Sequence, residues 1–207
     1  MDNFGEKSLE PRVSGGKFLD NIVQASGEFI SEGEDQSNPH TWSTPCCGDI
    51  DIRVDGDGNW YYMNSLIKRD SLVKLFSSIL VYESENNEYF LLTPAEKMRI
   101  QVDDVPFVIT DVERYGDPVS FLCATTNVGE TLVIGNEHPI KYQSVKDRDY
   151  KSVYISVRDN LLARFDRKAF YRLIDMGNYI QRGDNLRWFG VRSGNIFFPF
   201  AKEEELH

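Results

Sequence analysis

The sequence predicts an α+β protein made of two related units, each an antiparallel sheet with one main helix. Several short stretches alternate strictly between apolar and polar residues, which is the period of half-buried strands. Turn sequences such as Asp55-Gly56-Asp57-Gly58 separate these stretches. Two helical stripes each follow a similar short sequence, which indicates duplication. With 207 residues, 41% of them hydrophobic, the chain is long enough to bury a core.

Period-two alternation places the first strand at residues 49–54, with Ile50, Ile52 and Val54 on one face and charged residues on the other. The turn after it leads into a second strand at residues 60–62. One further strand is predicted alone, at residues 153–157. The other predicted pairs are 79–82 with 89–92, 97–102 with 107–112, 121–125 with 131–134, and 188–191 with 196–198.

Two helices interrupt the strands. The first is predicted from Asp70, as a helix-capping residue, and the second from about Asp166, ending at Gly177. A leucine stands four positions before each aspartate, and the two copies lie 96 residues apart. This spacing is too long for a solenoid and favours a repeat of whole α+β units.

The charge distribution divides the chain. We expect an acidic N-terminal tail with a short helix (1–41), a first α+β unit (42–115), a second α+β unit (116–201) and an acidic tail (202–207). The formal charge of −10 lies mostly in the two tails, which leaves the body nearly balanced. Duplex nucleic acid is therefore not an expected partner, because it requires a concentrated basic face. A pocket for a small anionic ligand needs only a few bases.

The chain has no apolar run long enough to span a bilayer, and its N-terminus lacks a basic segment followed by an apolar core. We therefore expect a cytoplasmic protein. Its cysteines fit that compartment: Cys46 and Cys47 are adjacent, which is poor geometry for a disulfide, and Cys123 lies in an apolar stretch. Cys47 is interpreted as buried at a strand entry, in preference to a zinc ligand with His40 or a nucleophile with His138.

Known catalytic and cofactor motifs are missing from the sequence. The Asp55, Asp57 and Asn59 spacing resembles a calcium loop, but Trp60 and Leu66 stand where that loop requires glycine and glutamate. We interpret it as a hairpin turn. The sequence has no glycine-rich phosphate loop, Gly-x-Ser-x-Gly or His-Glu-x-x-His motif. No cofactor and no metal site are predicted.

The charged faces of two predicted strands form the candidate site. One interpretation is a ladder of cross-strand salt bridges on a solvated face, worth roughly 0.2–1 kcal/mol per pair. The other is a polar floor in which bases bind phosphate or carboxylate, acids orient hydroxyl donors, and an aromatic ring stacks on a base. The candidate ligand-binding residues are Asp49, Asp51, Arg53, Lys97, Arg99 and Trp60.

The chain also resembles a bacterial family catalogued as domain of unknown function 1285, over residues 42–200. The residues that carry the resemblance are Trp42, Pro45, Cys47-Gly48-Asp49-Ile50-Asp51-Ile52-Arg53, Thr93-Pro94, Glu96-Lys97, Arg99-Ile100, Pro106-Phe107, Thr126-Asn127-Val128-Gly129, His138-Pro139, Arg164, Tyr171, Ser193-Gly194 and Phe197-Phe198-Pro199. The resemblance implies a duplicated α+β fold whose second unit is pleckstrin-homology-like. It also implies a ligand site between the units, for a nucleotide-like molecule, and a role in signal transduction.

Three functions follow as hypotheses. The leading one is a non-enzymatic ligand-binding or signalling module that holds a small anionic, nucleotide-like molecule between the two units. The second is a protein-interaction scaffold without a small ligand, which would bind a protein partner. The third, an enzyme, is a metal-assisted phosphoester hydrolase that would use Asp49 and Asp51.

Overall fold

The computed structural model describes residues 44, 46–144, 151–181 and 186–206. The predicted N-terminal tail and its short helix lie outside these ranges. The first unit contains six strands and one helix in the chain order β1 Cys46–Val54, β2 Trp60–Tyr62, β3 Ser65–Leu66, α1 Asp70–Ser78, β4 Leu80–Glu83, β5 Glu88–Leu92 and β6 Lys97–Val102.

The second unit contains six strands, a helix and a small additional sheet. Its first six strands are β7 Phe107–Tyr115, β8 Phe121–Thr126, β9 Thr131–Val133, β10 Ile140–Ser144, β11 Lys151–Arg158 and β12 Leu161–Phe165. They are followed by α2 Arg167–Asp175, by the sheet of β13 Asn178–Gln181, β14 Arg187–Ser193 and β15 Ile196–Lys202, and by a 3-10 helix, Glu203–Leu206.

The strand orders confirm the predicted α+β class and the duplication. The first sheet has the order β3-β2-β1-β6-β5-β4, and the second has the equivalent order β9-β8-β7-β12-β11-β10. In each unit, two three-stranded meanders meet where the first and sixth strands run side by side. These central pairs are parallel, so both sheets are mixed and not wholly antiparallel as predicted. The pleckstrin-like character of the second unit stays a prediction.

The two helices do not occupy equivalent places in the duplication. Helix α1 connects the third and fourth strands of its unit, whereas α2 follows the sixth strand of the other. The similar sequences before Asp70 and Asp166 are therefore not equivalent positions of the structural repeat. Asp166 does cap its helix, since its carboxylate accepts from the Ala169 N–H at 2.6 Å. The prediction of Asp70 as a cap is wrong, because Arg69 holds that position without a side-chain bond.

One predicted strand pairing is also wrong. Strands β6 and β7 were expected to form a hairpin, but they belong to different sheets. The connection between them is the linker between the two units, and Asp103 and Asp104 lie in it. The predicted boundary between residues 115 and 116 falls at the end of β7, within the second sheet. The other four predicted hairpins are present.

The hydrophobic core is shared between the units. Ile52, Trp60 and Phe76 of the first unit belong to the same buried cluster as Phe107 and Ile109 of the second. The Trp60 and Phe76 rings lie 6.0 Å apart, so helix α1 packs directly on the β2 strand. Burial of large apolar side chains from both units makes them interdependent for stability.

Candidate functional site

Carboxylates neutralise each of the three predicted basic residues. Arg53 makes two-pronged hydrogen bonds to Asp103, with Nη2 to Oδ2 at 2.7 Å and Nε to Oδ1 at 3.0 Å. Arg99 contacts Asp49 at 2.6 Å and Glu88 at 2.5 Å. Hydrogen bonds to these two carboxylates raise the pKa of the Arg99 guanidinium. Such pairs satisfy the guanidinium donors that an anionic ligand would otherwise occupy.

Lys97 is the most buried of these bases, with 13% of its side chain exposed. Its ammonium group donates to Glu83 and lies 4.2 Å from the centre of the Phe90 ring. Asp51 lies on the same outer face of β1 and is exposed. The face therefore has the geometry of a salt-bridge ladder, and a role for these residues in binding a ligand stays a prediction.

A polar cavity of about 440 Å³ lies instead between the two units. Trp60 is the one predicted ligand-binding residue that lines it, while Arg53, Lys97 and Arg99 do not. The first unit contributes the β1–β2 turn and helix α1, and the second contributes the β8–β9 turn. The lining includes Asp57, Trp60, Asp70, Lys74, Asn127 and Gly129.

The first-unit wall of the cavity begins with the turn at Asp55. One carboxylate oxygen of Asp55 accepts the N–H groups of Asp57 and Asn59, each at 2.9 Å. The other accepts from the Asn59 amide at 3.1 Å and the Tyr61 hydroxyl at 3.0 Å. Burial alone would raise the pKa of Asp55, but these hydrogen bonds outweigh it and lower the pKa. The predicted hairpin turn is thereby confirmed, and the donors to the Asp55 carboxylate come from the turn itself and from Tyr61.

Trp60 lines the cavity on the first-unit side and is 1% exposed. Its indole N–H is buried without a hydrogen-bond partner. A buried, unpaired donor costs free energy, and native structures contain few of them. Sequence reasoning selected Trp60 as a stacking platform, but the ring is packed against Phe76 in the core. Its observed contribution is to shape the cavity.

The second-unit wall is the tight turn from Thr126 to Glu130. The buried Thr126 hydroxyl accepts the Glu130 N–H at 3.0 Å, and the two backbones also bond to each other. Gly129 adopts φ +85°, a conformation that L side chains rarely adopt. The turn therefore presents a bare backbone to the cavity at Gly129.

Asn127 fastens this turn to the first unit. Its side-chain carbonyl accepts the Val108 N–H at 3.1 Å, and its amide donates to the Gly58 carbonyl at 3.0 Å. A side chain at Gly58 would collide with Asn127, since an added Cβ would lie 2.6 Å from Nδ2. The close approach of the Asn127 and Val108 side chains, together with a φ of +78°, explains the glycine at position 58.

Two arginines of the second unit reach across to the first beside the cavity. Arg158 donates to the Ser77 carbonyl at the end of α1 at 2.6 Å and pairs with Glu130 at 2.8 Å. Arg164 donates to the Gly56 carbonyl, and its Nε lies 3.3 Å from the Asp104 carboxylate. These contacts fix the positions of both cavity walls relative to each other.

Among the described residues that line the cavity, Lys74 is the one cation. Its side chain is exposed, and no ion pair to it within 4 Å occurs in the described part of the chain. Its ammonium nitrogen lies 3.7 Å from the place that a Cβ on Gly129 would take. Sequence reasoning missed Lys74, because a single lysine on a helix gives no pattern. The Thr126–Gly129 motif was the available signal for the opposite wall.

Other predicted features have simple structural roles. The His138 Nδ1 lies 3.0 Å from the Ser156 carbonyl, which fits a side chain that holds a loop. Cys46 and Cys123 are free thiols, and the side chain of Cys47 lies outside the described residues. Within the described ranges, no group of three or more His, Cys, Asp or Glu side chains is placed to hold a metal. None of the helices described is long and apolar enough to cross a membrane.

Comparisons with known proteins identify relatives of both units. A family model described as "Domain of unknown function (DUF1285), N-terminal domain" matches residues 38–105. Its companion, "Protein of unknown function (DUF1285), C-terminal domain", matches residues 106–200. The division between the two models falls in the linker between β6 and β7.

Two solved structures are similar to this chain. A DUF1285 family protein from Silicibacter pomeroyi DSS-3 is 41% identical, with a TM-score of 0.73, over 86% of this chain and 95% of that one. A DUF1285 family protein from Shewanella baltica OS155 is 31% identical, with a TM-score of 0.49, over 61% of this chain and 91% of that one. A search of curated proteins gives no match.

Proposed function

This chain belongs to the DUF1285 family, and from that premise we propose that it is a non-enzymatic ligand-binding module. The ligand is a small anionic, nucleotide-like molecule held in the cavity between the two units, and the module acts in signalling. The observation that carries the proposal is the position of Lys74, which has no ion-pair partner among the described residues and lines a cavity whose walls come from different units. The volume of about 440 Å³ lies in the range of small-molecule sites.

The chemistry of the walls supports such a ligand. The Lys74 ammonium supplies a positive charge that no carboxylate of the described residues neutralises within 4 Å. This contrasts with Arg53 and Arg99, where a ligand would first have to displace an acid. Because the inter-unit contacts hold both walls in place, a bound molecule would contact a preorganised site.

A melting-temperature screen against nucleotides and cyclic nucleotides tests the proposal. A ligand at a hundred times its dissociation constant should stabilise the fold by about 2.7 kcal/mol, which is several degrees in melting temperature. Lys74→Ala should weaken binding at least about tenfold, the scale of one lost charge-assisted hydrogen bond. Lys68→Ala is the matched control, because Lys68 is exposed and lies outside the cavity lining.

Two results would contradict the cavity as the site. Binding unaffected by Lys74→Ala, but abolished by Lys97→Ala with Arg99→Ala at unchanged melting temperature, would move the site to the outer face of the first sheet. A library without a single thermal shift would remove the nucleotide-like ligand itself.

A protein-interaction scaffold is the second candidate function, and exposed apolar side chains on the second sheet favour it. Tyr115, Phe121 and Val133 are 54%, 45% and 49% exposed. The register pairs Tyr115 with Phe121, so these two rings stand side by side on one face. Recovery of one stoichiometric protein partner that Phe121→Ser abolishes, together with a flat ligand screen, would decide for this function.

A further inference from the structure

The charges around the inter-unit cavity are unequal. Of the lining residues that the structure describes, Lys74 is the one cation, whereas Asp57 and Asp70 both contribute carboxylates. Asp57 is 86% exposed and lies 3.5 Å from Arg164, so its charge is partly balanced. The charge of Asp70 has no partner within 4 Å in the described part of the chain. The cavity lining by itself therefore carries a small net negative charge.

Asp70 and Lys74 are four residues apart on α1 and hence on one helix face. Residues with this spacing commonly form an ion pair, yet none within 4 Å is present between them. Both side chains line the cavity with their charged groups available. An adjacent acid and base of this kind offer one place for an anionic group and one for a hydrogen-bond donor.

The described lining offers no second cation to a ligand with two negative charges, and its other charged residues, Asp57 and Asp70, are acids. At separations of about 6 Å and an effective dielectric constant between those of the protein surface and water, such repulsion weakens binding roughly tenfold per charge. A hydroxyl or amino group has the opposite effect, because a carboxylate accepts its hydrogen bond. The site thus discriminates by charge count as well as by shape.

We infer that the ligand of this cavity is a monoanion that also carries a hydroxyl or amino donor. A cyclic phosphodiester of a nucleoside has this chemistry, whereas nucleoside di- and triphosphates do not. The inference rests on the proposed function, since it specifies the ligand class of the same site. Lys74 receives the anionic group, and Asp70 accepts from the donor.

The test is a series of compounds that share one base and differ in charge. Titration calorimetry without divalent metal compares adenosine, 3′,5′-cyclic adenosine monophosphate, adenosine 5′-monophosphate and adenosine triphosphate, and the series is repeated with the other bases. We expect the cyclic compound to bind at least about tenfold more tightly than the mono- and triphosphate. A monophosphate or triphosphate that binds as tightly as the cyclic compound overturns the inference.

A charge-removing variant tests the role of Asp70. Asp70→Asn should improve binding of the 5′-monophosphate relative to the cyclic compound by about fivefold to tenfold. Asp175→Asn, at an exposed aspartate of α2 outside this cavity, is the matched control and should leave the ratio unchanged. An Asp70→Asn protein with the wild-type ratio contradicts the assignment.

If every nucleoside compound fails to bind, the proposed function is wrong. Simple anions still test the charge preference of the cavity in that case. The amide signal of Gly129, which faces Lys74, is then followed by nuclear magnetic resonance during titration with formate or sulfate. Formate should shift the signal at lower concentration than sulfate, and Lys74→Ala should abolish the shift. Stronger binding of the doubly charged sulfate, or no response to either anion, overturns the charge preference.

Discussion

Asn127→Ala should weaken the contact between the two walls of the cavity. The Asn127 side chain donates to the Gly58 carbonyl of the first unit at 3.0 Å. It also accepts from the Val108 N–H of its own unit at 3.1 Å. Alanine removes both and leaves the backbone groups of two buried residues without these partners.

The magnitude follows from the number and burial of these bonds. A hydrogen bond of this type contributes about 1 kcal/mol net, so two contribute about 2 kcal/mol. Because Asn127 itself is exposed, water replaces part of the loss, and a larger penalty for the unsatisfied groups is not expected. For a chain of this size, about 2 kcal/mol corresponds to a decrease in melting temperature of roughly 4–8 °C.

Urea unfolding followed by tryptophan fluorescence measures the effect. The midpoint should decrease while the slope stays constant, since the surface exposed on unfolding is unchanged. The matched control is Asn86→Ala, in the exposed β4–β5 turn, where no side-chain hydrogen bond of Asn86 is present in the described residues. Equal midpoints for the two variants would refute the conclusion that Asn127 joins the units.

Three other outcomes are expected. Ser193→Ala should lower the free energy of unfolding in urea by about 2 kcal/mol. The buried Ser193 hydroxyl accepts from the Leu122 N–H at 2.9 Å and donates to the Ile134 carbonyl at 2.6 Å. A loss no greater than that for an exposed serine would contradict this. The lowered pKa of Asp55 contributes stability that is present above the ordinary carboxyl pKa and is lost as pH falls through the folded pKa. Asp55→Asn should therefore flatten the acid side of a plot of melting temperature against pH. An unchanged slope there would argue against this role of Asp55. Lys97→Ala should lower the melting temperature more than Arg99→Ala, since Lys97 is 13% exposed and Arg99 45%; the reverse order would count against the ladder geometry.

Local sequence patterns predicted the local structure well. Alternation at Ile50, Ile52 and Val54 identified a strand face that is at most 5% exposed, and the turn chemistry located four hairpins. The parallel pairing of β1 with β6 could not be predicted in this way, since Asp49 and Arg99 meet across 50 residues of chain. Strand periodicity is the same in parallel and antiparallel neighbours, and the linker at Asp103 resembles an ordinary hairpin turn.

The candidate site was harder to predict for an electrostatic reason. A sequence shows that Arg53, Lys97 and Arg99 are basic, but not that Asp103, Glu83 and Asp49 neutralise them. The sequence gives no reason to select Lys74, because only the fold brings it close to the turn at Gly129. Trp60 lines the cavity, but its ring belongs to the core, and its predicted role in binding a ligand stays a prediction.

The pairing of the first and sixth strands in each unit has a consequence for biosynthesis. While a ribosome produces this protein, β1 cannot acquire its central neighbour until β6 emerges, some 50 residues later, as the Asp49–Arg99 register requires. Until then the nascent β1 presents one unpaired edge, a known route to intermolecular association. Translation arrested after β5 should consequently yield a fragment that depends on chaperones, whereas arrest in the linker beyond β6 should release one with every strand of the first sheet in place.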